Sequence, residues 1–203
     1  MEVVISGVDS IGSRQARILD AALEIFSAHG TSDATLQMVA ESAGVSVGLV
    51  QHHFRTKDGL IEAVGAHALG VVATTMSAPL PQSGVDAVLE VGRRVSLLLA
   101  DHTSALDYLA RLVVDGTPLG AAFFDAMVAN GIAQWQHLAE SGSTADGLDL
   151  VWAALNPLIL ILGGIVCRRQ LDRHLPEPLT SPTQLQRWQD AVNALIRSGQ
   201  LRP

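Results

Sequence analysis

The segment Thr35–Lys57, TLQMVAESAGVSVGLVQHHFRTK, constrains the fold of this chain more than any other. Leu36, Val39 and Ala40 recur at helical spacing, and Gly44 follows where a helix C-terminus often needs a positive φ. Val45 is an apolar plug in the turn. Ser46 is placed to cap a second helix running through Gly48, Leu49 and Val50 to about His53. Two short helices joined by a glycine-containing turn form a helix-turn-helix, whose second helix enters the DNA major groove and reads base edges.

The flanking sequence predicts helices almost throughout. Residues 1–12 read as a flexible arm. A first helix is expected from about Ser13 to His29, with Ile18, Ala21, Ala22, Ile25 and Phe26 on one face and Gly30 ending it. A fourth begins near Lys57–Asp58, turns Leu60, Ile61 and Val64 inward and runs to about Met76, before a loop at Pro79–Gly84. Helices then follow at Val85–Asp101, Ser104–Val114, Pro118–Ser141, Asp146–His174 and Thr183–Ser198. The fold class is all-α, with about nine helices. Residues 13–56 form an N-terminal three-helix helix-turn-helix domain. Residues 57–203 supply a linking helix and a C-terminal helical bundle, which the resemblance described below assigns to ligand binding and dimerisation.

Charge limits how such a reading head could hold DNA. The chain carries a formal net charge of −7, which argues against a generic polyanion binder. Within the first 65 residues, Arg14, Arg17, Arg55 and Lys57 stand against Glu2, Asp9, Asp20, Glu24, Asp33, Glu41, Asp58 and Glu62. The cations cluster at the start of the first helix and just after the second helix of the motif. Lys57 is the chain's only lysine, so phosphate contacts should be few and the electrostatic term modest. The single cysteine, Cys167, allows no intrachain disulfide, and no secretory signal is visible. Both fit a cytoplasmic protein. The apolar run Leu148–Cys167 reaches the length of a membrane span, but it contains Asp149, Asn156–Pro157 and Gly163–Gly164. It reads as a helix buried on nearly all sides, against its own domain and a partner subunit.

From Arg14 to about Ala66 the chain resembles the TetR family of bacterial transcriptional regulators. The resemblance rests on an I-L-x-A-A-x-x-x-F-x-x-x-G helix, then T-x-x-x-V-A-x-x-A-G-V-S, then H-H-F-x-x-K-x-x-L. It implies a ligand-responsive homodimer on a pseudo-palindromic operator, repression being the family's commoner mode. The DNA-binding residues it suggests are Thr35, Gln37, Ser46, Val47, Gly48, Gln51, His52 and Lys57. Gln37 matches a position that often touches DNA, and its amide can pair with a base or a phosphate. Val47 offers an apolar contact to a thymine methyl, and Gly48 lets the backbone approach closely. Thr35 and Ser46 are caps whose hydroxyls or nearby amides can meet phosphate. His52 is the outward member of its pair and His53 packs near Phe54. Adjacent helical positions diverge by roughly 100°, so the two do not chelate a metal. Lys57 would meet phosphate at the start of the fourth helix. Two positions depart from the family pattern. Gln51 stands where tyrosine is usual, and Met38 stands where an acidic residue often completes a capping box.

For the bundle, the resemblance implies a four-helix interface from two helices per subunit. Leu150, Ala153, Ala154, Leu158, Ile161, Leu162 and Ile165 offer it apolar surface, and Trp188, Val192, Leu195 and Ile196 form a matching stripe on the last helix. An effector cavity would lie between the linking helix and the bundle. His102, Tyr108, Phe124, Met127, Trp135, Trp152 and Asn156 are its candidate lining, and such a composition suits a largely hydrophobic small molecule. Binding would shift the fourth helix and spoil the spacing of the two reading heads. No cofactor or metal is expected. Asp107, Asp115, His102, His137 and Ser141 are scattered without a nucleophile elbow, metal-ligand spacing or phosphate loop, which argues against an enzyme. The rival to a regulator is a helical protein-interaction module that no longer binds DNA.

Overall fold

A computed structural model of the chain describes residues 8–202. The described residues form ten α-helices and a 3-10 turn, joined by short loops. They divide into two compact units, the boundary falling between Val71 and Val72, inside the fourth helix.

The first unit holds α1 (Val8–Asp33), α2 (Leu36–Ala43), α3 (Val47–Phe54) and most of α4 (Lys57–Met76). Residues 8–12 are already helical, so the part of the expected arm that is described is a first turn instead; residues 1–7 lie outside the described residues. Gly30 adopts φ 78° and ψ 164°, which breaks α1 where its glycine was expected to end it, and one further turn reaches Asp33. The i, i+4 row Ile18, Ala22, Phe26 buries against α2, and Val39, Val50, Leu60 and Val64 complete the core. Across the base of the unit the His67 Nε2 lies 2.9 Å from an Asp20 carboxylate oxygen.

The second unit contains α5 (Gly84–Asp101), α6 (Thr103–Val114), α7 (Pro118–Glu140), α8 (Leu150–Val166), α9 (Arg168–Leu171), the 3-10 turn Asp172–His174 and α10 (Pro182–Gln200). Hydroxyl caps start three of the long helices: Ser83 on α5, Thr117 on α7 and Ser181 on α10, while Asp149 caps α8. α7 packs on α6 and α8, and α10 packs on α5. Trp135, Leu138, Ala153, Ala154, Ile196 and Leu201 form one buried cluster. The chain end is pinned to the α7–α8 loop by an isolated bridge between Thr144 and Leu201.

The expected helix Asp146–His174 is shorter and broken. It starts only at the Asp149 cap, and at Cys167 the chain bends by 70° into α9 and the 3-10 turn. At 17 residues α8 alone is shorter than the about 20 that a span usually needs, and only together with the bent segment Arg168–His174 does it qualify by length and composition. By length and composition α4 does qualify as one, yet it turns Leu60, Val64, Ala68 and Val72 into protein.

The face that α8 presents also differs from the expected one by a fraction of a turn. Ala153, Ala154 and Ile165 are buried inside the subunit, and Val151, Trp152, Ile159 and Val166 are the residues left exposed. On α10, Ile196 is buried, Trp188 and Val192 are half-buried, and Leu195 is 64% exposed.

Candidate nucleic-acid interface

The helix-turn-helix is built by local chemistry. Thr35 is extended and its Oγ1 accepts the Met38 N–H at 3.1 Å, giving α2 a start without any acidic residue in its first turn. Gly44 then takes φ 64°. Its N–H reaches the Glu41 carbonyl at 3.1 Å, while the Val45 N–H reaches the Ala40 carbonyl at 2.9 Å. This paired arrangement satisfies two carbonyls that a helix end leaves open. Ser46 repeats the device on α3, its Oγ accepting from Leu49 N at 3.2 Å.

Val50 and Phe54 are the buried residues of α3, and they fix which side of it faces outward. Gly48, Gln51 and His52 are exposed, Val47 is half-buried at the first turn, and Gln37 is exposed on α2. The His53 ring sits between its neighbours, 5.6 Å from His52 in an edge-on arrangement and 6.0 Å from Phe54. A Cβ at Gly48 would meet only the Ser46 Oγ, at 4.0 Å, so nothing in the protein requires glycine there.

The exit from α3 is tight. Arg55 has φ 61° and ψ −55°, and the Thr56 N–H donates to the Phe54 carbonyl at 2.7 Å, closing a three-residue γ-turn. Thr56 then accepts the Gly59 N–H at 3.0 Å and starts α4. Lys57, next in the chain, donates from Nζ to the Ser32 carbonyl at 2.9 Å. Local spacing could not show this contact, since its partners are 25 residues apart. It joins the end of α1 to the start of α4 and leaves two of the ammonium's three protons for other acceptors.

Residues 18–64 match the family model described as bacterial regulatory proteins, tetR family. Over these residues the chain is similar to the TetR family. Among its relatives is the HTH-type transcriptional regulator BetI of Escherichia coli (strain K12 / DH10B), 47% identical over 57 residues. That stretch is 28% of this chain and 28% of the relative. The TetR-like fold extends over nearly the whole length. SmeT, the repressor of the Stenotrophomonas maltophilia multidrug efflux pump SmeDEF, covers 93% of this chain and 90% of its own, with a TM-score of 0.68 at 20% identity. The ketosteroid transcriptional regulator KstR2 of Mycobacterium tuberculosis covers 94% and 96%, with a TM-score of 0.67 at 14% identity. These relatives are transcriptional regulators, not enzymes.

The candidate effector residues of this chain are spread over different environments. Tyr108 and Trp135 are buried, and burial pushes the Tyr108 hydroxyl pKa up. Phe124 and Met127 are half-buried on α7, whereas His102, Trp152 and Asn156 are exposed. An open groove of about 490 Å³ lies instead between α5 and α10, lined by Pro81, Asp86, Leu89, Glu90, Arg93, Gln186 and Gln189. None of the seven candidates borders it.

Proposed function

We propose that this chain is a homodimeric, DNA-binding transcriptional repressor that a small, largely hydrophobic molecule releases from a pseudo-palindromic operator in the cytoplasm. The observation that carries the reading is the capped helix-turn-helix whose residues Gln37, Gly48, Gln51 and His52 are exposed on its outward side. Gln37 and Gln51 suit adenine edges, Val47 suits a thymine methyl, and Lys57 suits a phosphate. Thr35 and Ser46 place amides at helix starts where phosphate can approach.

A second copy is supported by the outer face of α8 and α10. Val151, Trp152, Ile159 and Val166 on one helix and Ala191, Leu195 and Ser198 on the other are exposed. The face is about 25 Å long and about 20 Å wide, from helix rise and diameter. That is about 500 Å² in projection, under the about 800 Å² per partner of a standard specific interface. Two-fold pairing would carry two reading heads to successive half-sites.

The test is binding to a labelled fragment of the upstream intergenic DNA, titrated with salt. A specific shift at low salt is expected, with a shallow salt slope because the cations are few. No specific shift at low salt counts heavily against the repressor. Lys57→Ala is expected to weaken binding to all sequences alike and to lower the salt slope by about 1; an unchanged affinity removes Lys57 from the site. Gly48→Ala separates reading from folding. Alanine gains up to about 1 kcal/mol of helix propensity and meets open space, so thermal stability should hold or rise. Operator affinity should nevertheless fall, because the new methyl stands on the DNA side.

A further inference from the structure

Among the described residues, Arg55 is the one residue other than glycine with a positive φ. Its φ of 61° and ψ of −55° give the rare, strained form of the γ-turn, which glycine would adopt at no steric cost. The turn is fixed from both sides. The Arg55 N–H donates to the Gln51 carbonyl at 2.8 Å and closes the last turn of α3. The Phe54 carbonyl accepts the Thr56 N–H at 2.7 Å, and a Cβ at Gly59 would stand 2.5 Å from the same oxygen. The start of α4 is thus seated on the end of α3, and the strain cannot relax without unseating it.

The positive φ also decides where the side chain goes. Compared with a helical φ of about −63°, it rotates the Cα substituents by about 120° about the N–Cα bond. In an L-residue that rotation carries Cβ into the place the next carbonyl carbon of the helix would have taken. Side chains within a helix lean towards its N-terminus; the Arg55 stem leans the other way and prolongs α3 past its last turn. The residue is exposed, and it enters none of the ion pairs of the described residues, not even with Asp58 three positions on. A reading helix lays its N-terminal residues on base edges. The 8 residues of α3 span about 12 Å, close to the width of the major groove. A cation carried past the far end of such a helix reaches the phosphates at the rim of the groove.

We propose that Arg55 is a phosphate-binding residue of the DNA interface, its guanidinium held beyond the C-terminal end of α3 by the strained turn. A phosphate contact there fixes how far α3 slides along the groove, and so sets the register in which Gln51 and Gly48 meet the bases. Arginine suits the task because its fork can take two phosphate oxygens. The inference rests on the DNA-binding reading above.

Salt titrations of binding test it, on the labelled upstream intergenic fragment and on an unrelated fragment of equal length, with thermal denaturation of the same full-chain proteins. Arg55→Gly should raise Kd at low salt by at least about tenfold on both fragments and lower the salt slope by about 1 per reading head. Its Tm should hold or rise, because the strain is relieved. Arg55→Gln keeps the strain and removes the charge, so it should show the same losses in affinity and slope at an unchanged Tm. Arg55→Lys should keep the slope and lose less affinity than either. An Arg55→Gln variant with unchanged Kd and slope overturns the proposal. So does a loss confined to the upstream fragment, which would mark a base contact. A fall in both Tm and affinity for Arg55→Gly overturns it as well, since the arginine would then serve the helix end rather than DNA. An unaltered chain that binds neither fragment at low salt overturns the DNA-binding reading itself, and this inference with it, without any substitution.

Discussion

Gly120→Ala is expected to destabilise the second unit by about 3 kcal/mol or more, near the upper end for overpacking, because the obstruction is backbone rather than side chain. A Cβ at Gly120 would stand 2.1 Å from the Leu112 carbonyl oxygen, 2.3 Å from its carbon and 2.6 Å from the Val113 nitrogen. No rotamer can relieve such a clash. The close approach belongs to the corner where α6 turns by 104° into α7. The Leu112 carbonyl accepts the Thr117 N–H at 3.1 Å and the Thr117 hydroxyl at 3.0 Å, and the same hydroxyl oxygen accepts the Gly120 N–H at 3.0 Å. Threonine thus caps α7 and seats its first turn on the end of α6. Pushing Gly120 away breaks the cap and withdraws α7 from Leu109 and Leu112, both buried. Thermal denaturation of the full chain should show a loss of roughly 10 °C. Gly116→Ala is the control. Its φ is 64° but its Cβ would meet open space, so only the left-handed strain applies, about 1–2 kcal/mol. Equal losses for the two variants would show that backbone conformation, not close approach, governs the corner.

Thr35, Gly44 and Ser46 were legible because each acts within five residues of itself, and the hydrogen bonds at both ends of α2 are those their side chains or lack of one predict. α8 was not legible in the same way. With apolar residues around its whole circumference it has no polar face to mark the outside, and neighbours decide its phase: Gly164 lies against the Trp188 indole of α10 and turns Trp152 outward. The effector candidates fail to share an environment for a related reason. Helical spacing places aromatic side chains on a face but does not say whether that face is core or surface, and Tyr108 and Trp152 took opposite fates. The tie between Lys57 and Ser32 is non-local, so spacing held no trace of it. Arg94 does carry a signal in the sequence. It shares the α5 stripe with Ala87, Val95 and Leu98, all buried, and Glu90 stands one turn before it. A charge inside an apolar stripe with an opposite charge at i−4 marks a buried cation whose partners are near.

Removing that cation should be nearly as damaging as crowding Gly120. Arg94 is 4% exposed. Its Nε donates to Glu90 at 2.7 Å, Nη1 donates to the carbonyls of Met76 and Ala78 at 3.1 and 2.7 Å, and Nη2 donates to the Pro79 carbonyl at 3.1 Å. One side chain therefore gathers the last turn of α4 and the loop after it onto α5. Arg94→Met keeps the stem's packing and removes all four bonds, which should destabilise the second unit by about 3 kcal/mol, as charge-assisted bonds at a buried site would. Lysine cannot reproduce the planar fork, so Arg94→Lys should recover only part of the loss. Hydrogen exchange should quicken through residues 76–80 in both variants, and unchanged exchange there would show that the loop is held by other contacts. Acid supplies an independent probe. Hydrogen bonds from Arg93, then Arg94, lower the Glu90 pKa from 4.5 to about 2. A depressed carboxyl stabilises the fold fully above its unfolded value and loses that contribution as pH falls from about 4.5 towards 2. Denaturant titrations across this window should show the second unit weakening, and Glu90→Gln should flatten that part of the profile while lowering stability at neutral pH. If such latching governs how α4 ends, the same substitutions should also change operator affinity, although Arg94 and Glu90 are remote in sequence from Gln37, Gly48 and Gln51.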